Sequence, residues 1–212
     1  MDTAAHGYAT VSSADRAVNT VAYPPRMVND SPRLSAQDWT RAALKAIADG
    51  GLAAVGVEPL ARTLGVTKGS FYAHFRNRDE LITAALADWG RNHGEAGLAE
   101  YAAIADPRQR LRELLTAVVR AVQPLAPSVH LSLLGDRNDP RVKDAVGRVN
   151  QARLNLLTST YLELGFPPDQ AAHRARVAYA AILGLLHLAQ TEADSPSPDA
   201  LADAAAAIFL PS

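Results

Sequence analysis

Between Val57 and Arg76 the chain reads V-E-P-L-A-R-T-L-G-V-T-K-G-S-F-Y-A-H-F-R, and these residue types suit gripping phosphates and base edges better than making or breaking bonds. Gly65 supplies the left-handed backbone that a tight turn between two short helices needs, with apolar Val66 to pack under the corner. Thr67 brings a hydroxyl and the free N–H groups of a helix start, a combination that holds phosphate. Lys68, Gly69 and Ser70 give the next helix a small leading face, able to enter a major groove about 12 Å wide. Phe71 and Phe75, four residues apart, anchor the inner face, which leaves Tyr72 pointing outward with Lys68.

Other chemistries lack their residues. The chain has no cysteine, which excludes disulfides, thiolate metal sites and a cysteine nucleophile. It has no G-x-S-x-G elbow, phosphate-binding loop or H-E-x-x-H, and no E-x-x-H to build a di-iron site in a helical bundle. The six histidines are scattered. We therefore expect no enzyme, no catalytic residue, no metal and no cofactor. Net charge is −1. Residues 33–80 hold seven Lys/Arg against five Asp/Glu and residues 81–212 twelve against fourteen, a slight positive bias at the end carrying the motif. The longest uncharged apolar run, Val177 to Ala189, has thirteen residues, short of the roughly 20 that span a bilayer. No secretory leader stands at the N-terminus, so a cytoplasmic protein without membrane contact is expected.

The elements that must position the motif are helices. Residues 1–34, rich in small polar residues and proline, read as a disordered arm, and one hypothesis is that translation begins at Met27 within it. Ser35 caps a first helix that Gly50-Gly51 ends; a second starts near Val57, with Pro59 tolerated in its first turn; Thr67 caps a third and Asn77, with Glu80 at capping-box spacing, a fourth. Later helices start at Asp106-Pro107, Asp139-Pro140, Pro167-Pro168-Asp169 and Ser197-Pro198-Asp199. The fold class expected is all-α with about nine helices. Its division is an arm over 1–34, a three-helix DNA-binding domain over 35–82 with its helix-turn-helix at about 57–76, and a helical ligand-binding and dimerisation domain over 83–212.

The matching residues Gly51, Leu60-Ala61, Gly65-Val66-Thr67-Lys68-Gly69, Phe71-Tyr72, His74-Phe75 and Arg78-Asp79-Glu80-Leu81 closely resemble the DNA-binding domain of the tetracycline-repressor (TetR) family, over about Leu34 to Leu86. Two positions depart from the pattern: Val55-Gly56 stands where a hydroxyl cap is common, and Arg78 where lysine is common. The resemblance implies that Thr67, Lys68, Gly69, Ser70, Tyr72, His74 and Arg78 form the DNA-facing set. Thr67, Tyr72 and His74 would meet mostly phosphates, and Lys68 and Ser70 base edges.

One recognition helix reads too few base pairs for specificity, so a homodimer on near-palindromic half-sites is expected. The helix from about Asp169 to Ala193 is apolar nearly all round and must be covered on both sides. Val177, Ala180, Ala181, Gly184 and Leu188 on it are the candidate dimer contacts, with Leu201, Ala205 and Ile208 of the last helix completing a four-helix interface. Polar or aromatic residues on apolar segments are candidates to line an effector pocket: Trp89, His93, Tyr101 and His130, then Asn155, Tyr161, Tyr179 and His187. The expected effector is small and mostly apolar or neutral. Gly90, Gly94 and Gly97 suggest that the segment joining the fourth helix to the rest kinks or frays and changes path on ligand binding; the alternative is that the helix ends near Gly90. The function expected is a ligand-released transcription repressor. The rival reading is a DNA-binding activator or architectural protein without small-molecule response.

Overall fold

Ser35 opens the first helix through a reciprocal capping box: its hydroxyl accepts from the Asp38 N–H, while the Asp38 carboxylate accepts from the Ser35 N–H at 2.9 Å. This computed structural model describes residues 34–121, 127–188 and 197–210. Helix α1 (Ala36–Gly50) buries Trp39, Ala43 and Ile47 at helical spacing and stops at Gly51, whose φ of 67° lies in the left-handed region. A 3₁₀ turn, Leu52–Ala54, leads to α2 (Val57–Thr63) and α3 (Lys68–Tyr72). The two are joined through Gly65 at φ 69°, the left-handed turn expected there. Helix α4 (Arg78–His93) starts at Asn77, whose side chain accepts from Glu80 N–H at 2.9 Å. The return bond expected from Glu80 goes one residue further back, to the Arg76 N–H at 2.7 Å.

The remaining helices are α5 (Glu95–Ala102), α6 (Pro107–Ala121), α7 (Val129–Leu133), α8 (Pro140–Glu163), α9 (Pro168–Leu188) and α10 (Pro198–Phe209), with a second 3₁₀ turn, Leu134–Asp136, after α7. All regular structure among the described residues is helical, in ten α-helices. None is long and apolar enough to cross a membrane. The short α5 and α7 have no counterpart in the sequence reading, and the residues expected to extend α9 beyond 188 lie outside the described ones.

The glycines after α4 produce a break rather than a kink. Helix α4 ends at His93 and α5 begins at Glu95, with Gly94 between them. A Cβ on Gly94 would stand 2.6 Å from the Gly90 carbonyl oxygen, and one on Gly97 only 1.8 Å from that of Asn92. The junction is therefore folded too tightly for any side chain at either place.

Two hydrophobic cores result. The first joins Trp39, Ile47, Leu60, Phe71, Phe75, Leu81, Ile82 and Trp89 to Leu133 of α7 and to Val142, Ala145 and Val149 of α8. It thus extends across the position of the expected domain division. The second gathers Leu111, Leu115, Leu157, Tyr161, Ala175, Ala178, Tyr179 and Ile182 from α6, α8 and α9, with Ala205 of α10. Helix α8 contributes its first half to one core and its second half to the other. Arg110, buried on α6, pairs with Glu163 at the end of α8 (2.8 and 3.1 Å) and donates to the Ile104 carbonyl at 2.7 Å, locking the start of α6 in place.

The two glycine environments predict opposite outcomes. Gly97→Ala forces backbone apart and costs about 1–3 kcal/mol. Gly90→Ala, with nothing within 4 Å of the added carbon, gains up to about 1 kcal/mol of helix propensity. Urea melts of both variants against the parent chain check the pair of signs.

Candidate functional site

Helix α3 has five residues, too few to be stable alone in water. Phe71 holds it in place. Its ring is 0% exposed, edge-on to Trp39 at 5.3 Å and stacked with Phe75 at 5.8 Å. With Phe71 inside, Lys68 and Tyr72 must lie outside, and Tyr72 is 57% exposed although aromatic. Thr67, Lys68, Gly69 and His74 are exposed, and Ser70 is half-buried. His74 stands just after α3, which ends at Tyr72. Thr67 is the N-cap by backbone geometry, yet its hydroxyl makes no capping bond. A methyl on Gly69 would meet only the Thr67 Oγ1, at an ordinary 3.6 Å, so internal packing does not demand that glycine.

Two cations of the expected set have intramolecular partners. Lys68 Nζ pairs with Glu58 Oε1 of α2 at 2.9 Å, both side chains exposed, and Glu58 in turn raises the ammonium pKa by hydrogen bond and charge. Exposed pairs of this kind are weakly held in water, so Lys68 is readily released to another anion. Arg78 is different, and its expected role is corrected. Its guanidinium donates to the carbonyls of Val55 (2.5 Å) and Leu52, half-buried behind the 3₁₀ turn. It braces the corner before α2 rather than facing outward.

The expected pocket residues separate into groups. Trp89 and His93 of α4 meet His130 of α7: the Trp89 ring lies 5.7 Å from His93 and 5.9 Å from His130. Tyr179 of α9 joins them through α8, donating its hydroxyl to Asn150 Oδ1 at 2.8 Å and accepting from Arg153 at 3.4 Å. Burial, then the Arg153 charge, then His93 depress the His130 pKa to about 4; burial and Arg153 also lower His93. The His130 Nδ1 is buried without a hydrogen-bond partner. Arg153 and Asn150 were not anticipated. Their one signal in the sequence is a cation and an amide on the same helix that carries Ala145, Val149 and Ala152 inward.

Four candidates stand elsewhere. Tyr161 is fully buried in the second core, its hydroxyl donating to the Phe209 carbonyl at 3.2 Å. Tyr101 packs half-buried against that same core. Asn155 is exposed and accepts from Gln151 at 2.7 Å, and His187 is exposed near the end of α9. A polar groove of about 450 Å³ opens between α6 and α10, lined by Arg112, Glu113, Thr116, Asp199, Ala202 and Asp203. It contains none of the expected lining residues.

On the outer face of α9, Val177 (61%), Ala180, Gly184 and Leu188 are exposed in helical register, and Ile208 of α10 is 69% exposed. Ala181 and Leu201 are half-buried. Ala205 is corrected: at 7% exposure it packs into the second core of its own chain, so it faces inward.

Residues 40–85 match the model of the bacterial regulatory proteins of the tetR family. The HTH-type transcriptional regulator BetI of Rhizobium meliloti (strain 1021) is 30% identical over 149 residues, which span 68% of this chain and 72% of BetI. The chain belongs to the TetR family. Solved structures share its fold well beyond the matched segment. AibR in complex with isovaleryl coenzyme A and operator DNA superposes with a TM-score of 0.62 at 17% identity, covering 83% of this chain and 98% of AibR. A transcriptional regulator from Saccharomonospora viridis in complex with choline superposes with a TM-score of 0.60 at 23% identity, over 80% of this chain and 92% of that one. The protein is thus a DNA-binding transcriptional regulator of the TetR family, and α2 and α3 are its helix-turn-helix.

The depressed His130 pKa makes the TetR-type fold acid-sensitive at a defined place. The folded value near 4 lies below the ordinary 6.5, so unfolding takes up a proton between the two. The stability this contributes is complete above about pH 6.5 and lost as pH falls toward 4. Between pH 7 and 4 the parent chain should lose about 3 kcal/mol more than His130→Gln. Urea melts across that range check it.

Proposed function

We propose that this protein is a ligand-responsive repressor that binds a near-palindromic operator as a cytoplasmic homodimer and is released by a small effector. The observation that carries the DNA-binding half is the outward face of α3: Lys68 and Tyr72 exposed above a fully buried Phe71. Thr67, with a hydroxyl left over from capping, and the N–H groups that begin α3 suit phosphate. Gly69, unneeded by the protein's own packing, lets the backbone approach a duplex closely. Lys68 and Ser70 are placed to reach base edges in the major groove.

The dimer reading is supported by the apolar stripe Val177, Ala180, Gly184 and Leu188, whose small residues let two helices approach, together with Ile208. The response to a ligand is supported by what α7 and the 3₁₀ turn after it touch. His130 stands in the aromatic cluster, while Ser132 donates to the Ala48 carbonyl of α1 at 2.6 Å and Asp136 accepts from the Leu52 N–H at 2.7 Å. Helix α4 likewise runs from the helix-turn-helix to Trp89 and His93. A molecule that binds differently to two arrangements of α4 and α7 shifts the spacing of the recognition helices. AibR, solved with both an acyl-coenzyme A and operator DNA, supports this pairing of ligand and DNA on one such fold.

Duplex binding measured over a salt series tests the reading, using DNA from the region upstream of the protein's own gene. Lys68→Ala should weaken binding and flatten the slope of log K against log salt by about one unit per recognition helix. Lys143→Ala, exposed on α8, should change neither. A Lys68→Ala slope equal to that of the parent chain would contradict the placement of α3 on DNA.

A further inference from the structure

The cluster where α4, α7, α8 and α9 meet has a charge that its expected neutral ligand does not use. Arg153 is half-buried there, lies 5.9 Å from the centre of the Tyr179 ring, and donates to the Tyr179 hydroxyl, a neutral acceptor. Among the described residues no carboxylate forms an ion pair with it: the acids in pairs are matched to Arg41, Lys45, Lys68, Arg76, Arg91, Arg110, Arg141 and Arg148. Its charge reaches both His93 and His130, which it helps to keep neutral. Burial grades inward across the group. His93 stands at the solvent edge with its imidazole partly covered, Asn150 and Arg153 are half-buried, and Trp89, Tyr179 and His130 are buried. At the buried end the His130 Nδ1 lacks a partner, and an unpaired buried polar nitrogen is costly to a fold unless something completes it.

We propose that Arg153 and His130 receive the carboxylate of a small organic acid whose apolar part lies against Trp89, which rests on the effector reading above and replaces a neutral effector with an anionic one. A guanidinium and a neutral imidazole are both donors to carboxylate oxygens, and the guanidinium matches carboxylate geometry in a way no neutral amide exploits. The indole supplies apolar area for the rest of the molecule. The same Arg153 repels a quaternary ammonium, so a choline-like cation is disfavoured at this place.

The test uses the full-length protein with acetate, isovalerate, benzoate and octanoate, the four corresponding primary amides, and choline. Thermal melting and tryptophan fluorescence report binding, and gel shifts report duplex affinity. At least one carboxylate should raise the melting temperature at millimolar concentration while its amide and choline do not. Arg153→Gln should weaken that carboxylate at least about tenfold, Arg153→Lys should restore part of the loss, and His130→Gln should weaken it less. Binding of amides or choline as tight as that of the acids, an unchanged affinity in Arg153→Gln, or no binding by any acid would overturn the proposal. The gel shift separates the two readings. A carboxylate that binds through Arg153 without altering duplex affinity leaves the anion site standing and removes the ligand-responsive repressor.

Discussion

The burial of Phe71 against Trp39 is the contact on which the DNA-binding geometry rests. A five-residue helix has almost no stability of its own, so its orientation is set by whichever side chain it buries. With Phe71 at the centre of the first core and Phe75 behind it, the helical repeat leaves Lys68 and Tyr72 no position except the surface. The glycine turn at Gly65 and the Arg78 guanidinium, clamped on the carbonyls of the 3₁₀ turn, hold α2 and the corner preceding it in register with that anchor. Changing the anchor would therefore alter every proposed DNA contact at once, although Phe71 itself touches no solvent.

The same core explains how events far from α3 can reach it. Because Leu133, Val142, Ala145 and Val149 pack among residues of α1 and α4, the helix-turn-helix is not a free unit on a tether. Polar contacts reinforce the join: Ser132 to Ala48, Asp136 to Leu52, and Arg141 to Asp79 at 3.1 Å. Asp136 also occupies the space beside Gly51 that any side chain there would need; a Cβ would stand 2.6 Å from its Oδ2. Helix α7 is thus tied to the DNA-binding helices at one end and presents His130 to the Trp89 cluster at the other. A short element with attachments at both ends transmits displacement better than a long, self-sufficient helix would.

The helix-turn-helix was legible in the sequence because its signals are local. A glycine needing positive φ, caps at Ser35 and Asn77, and two phenylalanines four apart act over a few residues and survive without knowledge of the fold. Helices α5 and α7 were not legible, since segments so short are stabilised mainly by what they pack against. The effector cluster was legible by residue type and not by register. Asn150 and Asn155 lie on one helix, but five residues turn a helix by about 140°, which puts the first on Tyr179 and the second in solvent. Four consecutive alanines, Ala204 to Ala207, likewise carry no sign of which side faces inward; Ala205 and Ala206 do. Arg78 misled for the opposite reason. A cation beside a DNA-binding helix suggests phosphate, while the carbonyls of Leu52 and Val55 that receive it leave no trace in the sequence.

The central claim, that the face of α3 above Phe71 is the surface that meets DNA, is tested most directly by amide hydrogen exchange of the protein with and without a bound operator duplex. The account predicts that protection gained on binding is greatest across residues 67–74, with the outer face of α9 unchanged. Protection concentrated on α8 or α9, with residues 67–74 exchanging as in the free protein, would contradict it.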